Sequence, residues 1–127
     1  TGYEDQTVAI RAGDLLFITG LMAADENGLA LGCEIDPRQP YFGSSAQSQM
    51  EYILNNAEKI CQAAGTSLKN VVRIQQFHTD LNEFYPAYQS WQNCLPGQAL
   101  PFSAVEVPAP LPIPGCTILT DLWVYAP

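Results

Sequence analysis

The chain has 127 residues, 47% of them hydrophobic, and a formal net charge of −8 from thirteen acidic and five basic side chains. That length fits one domain, residues 1–127, able to bury a core without disulfide staples. The cations Arg11, Arg38, Lys59, Lys69 and Arg73 are scattered rather than gathered into a stripe, which excludes nucleic acid and anionic membrane surfaces as expected partners.

No apolar run nears the roughly 18 residues that a membrane span needs. No signal-peptide pattern opens the chain. It begins at Thr1, as a trimmed chain or a domain of a longer protein would. Cys33, Cys61, Cys94 and Cys116 lie far apart without C-x-x-C spacing, and a single histidine accompanies them. No metal and no cofactor are therefore expected, and the thiols read as reduced, in a cytoplasmic protein.

In chain order, VAIRAGDLLFITG (8–20) predicts two strands around an Ala12-Gly13-Asp14 turn, with Arg11 in the turn. Its LLFI run lacks alternation, as a strand buried on both faces does. LMAADENGLALG (21–32) carries an Asn27-Gly28 turn signal and predicts a hairpin or ordered loop. DPRQPYFG (36–43) reads as loop. Met50, Ile53, Leu54, Ala57, Ile60, Cys61 and Ala64 then recur at spacings of three and four, the apolar stripe of a helix. Ser44 with Gln47 suits a capping box at its start, and Gly65 suits the stop.

VVRIQQFHTD predicts a central strand. Asp80 with Glu83 resembles a second capping box, giving one turn at 81–84. Because a proline inside a helix removes a backbone hydrogen bond, a regular helix is expected to start only near Pro86. Its apolar face is Tyr88, Trp91 and Leu95, and Pro96-Gly97 ends it. FSAVEV (102–107) is a strand, PAPLPIPG an extended loop, and TILTDLWVY (117–125) the last strand. The pattern implies an α+β fold with two helices on one face of a mixed sheet, and an open opposite face that favours oligomerisation.

AGDLLFITG, NNAEKICQAAGTSLKNVVRIQQFHTDLNEF, PFSAVEVPAPLP and PGCTILTDLWVYA together resemble the RidA/YjgF (endoribonuclease L-PSP) family, in order and over nearly the whole chain. The resemblance implies a chorismate-mutase-like fold, a homotrimer around a barrel-like core, and small-molecule clefts between subunits. It also implies enamine and imine deaminase chemistry, in which an arginine grips the substrate carboxylate and a last-strand glutamate handles water. Here the arginine position holds Phe102 and the glutamate position Leu119, while Tyr88 replaces a helix asparagine and Ala104 a cysteine. The pocket positions are thus Thr19, Gly20, Tyr88, Phe102, Ser103, Ala104 and Leu119, with no confident catalytic residue among them.

Three functions follow. One is a small-molecule-binding trimer whose altered cleft has lost the standard deaminase activity. Another is a divergent deaminase or hydrolase, with Arg73, His78 or Asp121 standing in for the missing groups. The third is a non-catalytic structural or regulatory module. A lone strand histidine such as His78 is more often structural than a general base.

Overall fold

The computed structural model describes residues 9–25, 28–29, 45–108, 111 and 116–127. Strand β1 (Ala9–Ala12) turns through Gly13 and Asp14 into β2 (Leu15–Leu21). Gly13 has a φ of +60°, the left-handed backbone that a two-residue hairpin turn demands. Arg11 lies in β1, not in the turn, because the turn needs only the two residues between Ala12 and its partner Leu15. Its guanidinium donates to the carbonyls of Ala64, Ala126 and Pro127 at 3.0, 2.7 and 3.0 Å.

A short hairpin follows, β3 (Ala24–Asp25) pairing antiparallel with β4 (Gly28–Leu29). Asn27, the 36–43 loop and the Ser44 cap fall outside the described residues, as do 109–110 and 112–115 of the proline-rich loop. Helix α1 (Ser45–Ala63) buries Met50, Ile53, Leu54, Ala57 and Cys61 of the predicted stripe, while Ile60 is half-buried and Ala64, also half-buried, lies just past the helix end. It ends in a Schellman motif: the Thr66 N–H donates to the Cys61 carbonyl at 2.9 Å, and the Gly65 N–H to Gln62 at 3.1 Å. Gly65 adopts a φ of +80° there, as the sequence expects of a helix stop.

Strand β5 (Val71–His78) leads into a 3₁₀ turn (Leu81–Glu83) and helix α2 (Phe84–Cys94). Asp80 caps the turn by accepting from the Asn82 N–H at 3.0 Å. The expected reciprocal box does not close, because Glu83 instead accepts from the Thr117 hydroxyl at 3.1 Å. Nor does the helix wait for Pro86. Proline stands at its third position, where a backbone N–H has no partner within the helix, so the ring is tolerated.

Strand β6 (Phe102–Glu106) returns parallel to β5, and β7 (Ile118–Tyr125) fills the centre, giving the order β1-β2-β7-β5-β6. Only the β5–β6 pair is parallel, so α2 is the crossover that such a pair requires. Helix α1 lies over β7 and β2 and packs on α2. Between these helices and the sheet sits the main core, with Ile18, Met50, Ile53, Ile74, Trp91, Ile118 and Leu122 wholly buried.

Among the described residues the opposite face is largely bare, as the sequence implies. Leu16 and Ile18 point into the core, while Leu15 and Phe17 between them are only half-buried. LLFI is therefore not buried on both faces within one chain. Cross-strand pairing lines up Ile10, Phe17, Trp123 and Arg73 in one row across four strands. Ile10 is 60% exposed and Trp123 41%. One end of this face is covered by a smaller cluster of Met22, Ala24, Leu111 and Cys116, against which Val107 and Leu119 pack.

Candidate functional site

The seven pocket positions divide between the two faces of the sheet, because side chains alternate along each strand and paired residues share a side. Phe102 pairs with buried Ile74, and Ala104 with buried Gln76, so both face the helices. Ser103 pairs with Gln75, and Leu119 with Phe77, on the opposite face. Within one subunit, then, Phe102 and Tyr88 stand together, and Leu119 lies across the sheet from them against the smaller cluster.

Phe102 sits in an aromatic clasp supplied by α2. Its ring meets Phe84, Tyr88 and Trp91 edge to face, with centroids 5.5, 5.6 and 6.2 Å apart. Phe84 and Tyr88 stack at 5.5 Å, as an i, i+4 aromatic pair on one helix face can. Phe102, Phe84 and Tyr88 remain half-buried and Tyr85 is exposed, so the clasp opens to the surface. A benzyl ring cannot grip a carboxylate, and no cation among the described residues stands in the clasp. Phe84 was readable as Tyr88's partner from the spacing alone.

The remaining positions are set by a bulge. Between the pairs Ile18–Leu122 and Leu21–Thr120, Thr19 and Gly20 of β2 face Asp121 alone. Gly20 takes a φ of +70°. Its N–H donates to the Asp121 carboxylate at 2.9 Å. The extra residue carries Leu21 onto the core side, where it is buried.

The three candidate stand-ins part company here. Arg73 lies on the bare face, its guanidinium 5.4 Å from the centre of the Trp123 ring. Asp121 lies on that face too, committed to Gly20. Only His78 shares the side of the sheet that carries Phe102 and Ala104, pairing with Glu106 of β6.

His78 belongs to a buried polar row that the sequence presents as Gln76 and His78 two apart on one strand. Gln76 donates from its amide nitrogen to Met50 Sδ at 2.7 Å and to Thr120 Oγ1 at 3.2 Å. Its Oε1 is left to accept from His78 Nε2 at 3.4 Å. That fixes the proton on Nε2 and makes Nδ1 an acceptor. Nδ1 is buried without a hydrogen-bond partner. Burial lowers the pKa of His78, so the imidazole is neutral.

A second polar group lies beside it, at the C-terminal end of β5. Buried Gln49 accepts from the Thr117 N–H at 2.9 Å, and the Thr117 hydroxyl reaches Glu83 at 3.1 Å. Burial raises the Glu83 pKa, Asp80 adds to the rise, and the Thr117 bond opposes it. Sequence reasoning missed Gln49, because a glutamine flanking an apolar stripe carries no mark of burial.

Residues 3–118 match the profile of the family described as endoribonuclease L-PSP. Among curated proteins, the RutC family protein y4sK of Sinorhizobium fredii is 38% identical over 77 residues, which is 60% of this chain and 52% of the relative. The RutC family protein YjgH of Escherichia coli is 29% identical over 98 residues, 67% of this chain and 66% of the relative. The aligned part thus spans about half to two thirds of the length of these curated relatives. Among solved structures, RidA from an Antarctic Psychrobacter species superposes with a TM-score of 0.75 at 27% identity, covering 95% of this chain and 88% of the other.

Proposed function

Because the chain belongs to the endoribonuclease L-PSP family, the RidA/YjgF group, we propose that it is a small-molecule-binding member whose cleft has exchanged carboxylate recognition for aromatic recognition. The observation that carries this reading is the Phe102 ring, clasped by Phe84, Tyr88 and Trp91 where the family resemblance calls for an arginine. Leu119 in place of the glutamate removes the second charged group, so standard imine and enamine deamination is lost. Phe84, Tyr88 and Phe102 are half-buried, so the ring surface they present to solvent suits an uncharged, largely apolar ligand.

The same reading makes the protein a homotrimer of one RidA-like domain, with the clefts between subunits. It is supported by the uncovered row of Ile10, Phe17, Trp123 and Arg73, which a neighbouring subunit would bury. In a trimer the two sides of the sheet can meet in one intersubunit cleft, which would bring Leu119 of one subunit near Phe102 of the next. The free thiols of Cys61 and Cys94 suit a reducing, cytoplasmic setting.

The test is deamination of an imine or enamine generated in place by an amino-acid oxidase or a threonine dehydratase. Ammonia and 2-keto acid release no faster than in buffer is the expected result. Clear acceleration would overturn the altered-cleft reading.

A further inference from the structure

We propose that the outer edge of β6 binds a short, extended, uncharged peptide segment by strand addition, with an apolar or aromatic side chain of the peptide set against the Phe102 clasp. This rests on the altered-cleft reading above and names the ligand class that such a cleft takes. The hydrogen bonds to β5 fix which backbone groups of β6 are free for it. The Ile74 N–H donates to the Pro101 carbonyl, and the Val107 N–H to the His78 carbonyl, both at 2.8 Å. Backbone groups of successive strand residues point to opposite edges. Pro101, Ser103, Val105 and Val107 therefore face β5, while Phe102, Ala104 and Glu106 turn their N–H and C=O groups outward. Strand β6 is the last of the sheet, and among the described residues nothing takes up those outward groups.

Natural sheets blunt an open edge with charges, internal proline or a bulge. The run Phe102–Val105 carries none of the three. Proline stands instead at either side, at Pro101 and Pro108, which confines the open backbone to the three outward residues. The geometry of pairing then fixes which side chains an added strand meets. An antiparallel residue that exchanges both hydrogen bonds with Ala104 sets its side chain on the same side of the sheet as Ala104, the helix side. Phe102 lies on that side two residues along the strand, about 7 Å away. Its ring stands 5.6 Å from that of Tyr88, and both are half-buried, so they offer ring surface to the newcomer. Ala104 itself contributes only a methyl group there.

The charge of the peptide follows from what surrounds the edge. No cation among the described residues stands in the clasp, and the exposed side chain at the end of β6 is an acid, Glu106. A terminal carboxylate would find no counter-ion here. A main-chain amide unit finds its donor and its acceptor both matched by Ala104. Main-chain bonds supply the affinity in such additions, and the surface beside the strand selects the side chain. Arg73 and Asp121 serve the opposite face, so neither contributes to this contact.

The experiment is calorimetric titration of the whole protein at neutral pH with three probes. N-acetylphenylalaninamide offers Ala104 both a donor and an acceptor. Its analogue methylated on the phenylalanine nitrogen lacks the donor, and N-acetylphenylalanine carries a carboxylate. N-acetylphenylalaninamide is expected to bind roughly tenfold tighter than the methylated analogue, the worth of one well-made main-chain hydrogen bond. Ala104→Pro deletes the outward N–H and leaves the bonds to β5 in place, so it should weaken N-acetylphenylalaninamide by a similar factor. On the native protein, the Ala104 amide resonance should shift on binding and its hydrogen exchange should slow, which keeps the test valid if Ala104→Pro fails to fold. Equal binding of N-acetylphenylalaninamide and its methylated analogue, no binding by either, or an unmoved Ala104 amide overturns strand addition at β6. Tightest binding by N-acetylphenylalanine would overturn the altered cleft itself.

Discussion

Asp121 accepts the Gly20 N–H at 2.9 Å, across the point where two residues of β2 face one of β7. Sequence reasoning offers Asp121 as a displaced catalytic acid, and the bond shows what the carboxylate does instead. It holds a left-handed glycine in a bulge, and the bulge decides which face Leu21 and Met22 join. Asp121→Ala should cost about 1 kcal/mol, since the site is half-exposed and the bond is charge-assisted. Asp121→Asn, which keeps an acceptor oxygen, should recover most of that loss. Urea midpoints of the three proteins decide the matter, and equal losses for Ala and Asn would show that the bond contributes nothing.

The Trp123 ring stands at the centre of the bare face, edge-on to Phe17 at 5.4 Å and beneath the Arg73 guanidinium. A charge placed there would have to be desolvated in any assembly that covers this face. Trp123→Glu is expected to give a folded monomer, with light scattering reporting one third of the native particle mass. Far-ultraviolet circular dichroism should be unchanged, because the ring contributes little to the subunit's own core. A native protein that is already monomeric would refute the trimer.

His78 and Glu83 pull stability in opposite directions as pH falls. The folded pKa of His78 is below its ordinary value, through burial, so the unfolded chain takes up the proton first. Its contribution is complete above about pH 6.5 and is lost as pH drops below that value towards the lowered folded pKa. The folded pKa of Glu83 is raised, chiefly by burial, so the folded chain takes up that proton first and gains stability as pH falls through the raised value. Urea midpoints measured from pH 7.5 to 5 should fall in the native protein. The fall should be shallower in His78→Leu and steeper in Glu83→Gln. An identical slope in His78→Leu would mean that the imidazole is solvated.

What the sequence made legible follows from which signals are local. The α1 stripe, the Gly65 stop and the Gly13 turn are set by residues within a few positions of one another, and each stands where the pattern places it. The open face was also legible, because two helices packed against each other on a five-stranded sheet can cover only one of its sides. The bulge at Gly20 was not, since it depends on Asp121, about a hundred residues away. The separation of Phe102 from Leu119 was hidden for the same reason. It follows from the register of β5 with both β6 and β7, which no stretch of either strand encodes alone.

Pro86 is the position where a local rule misleads. Read as a helix breaker, it delays the start of α2, yet the helix runs from Phe84 and carries proline at its third residue. The N–H that proline lacks would have had no acceptor in the first turn, and its fixed φ suits that turn. Pro86→Ala should therefore leave stability within about 0.5 kcal/mol of native, with any loss coming from added freedom in the unfolded chain. Moving the proline one turn on gives the contrast. Gln89→Pro lies in the helix interior, where the ring costs about 3 kcal/mol or more by removing a hydrogen bond and clashing with the preceding turn. Because Phe84 and Tyr88 clasp Phe102 from this helix, Gln89→Pro should also disturb the Phe102 ring resonances, which Pro86→Ala leaves in place. Equal destabilisation by the two substitutions would place the true start of the helix at Pro86 or later, and would break the aromatic clasp on which the proposed cleft is built.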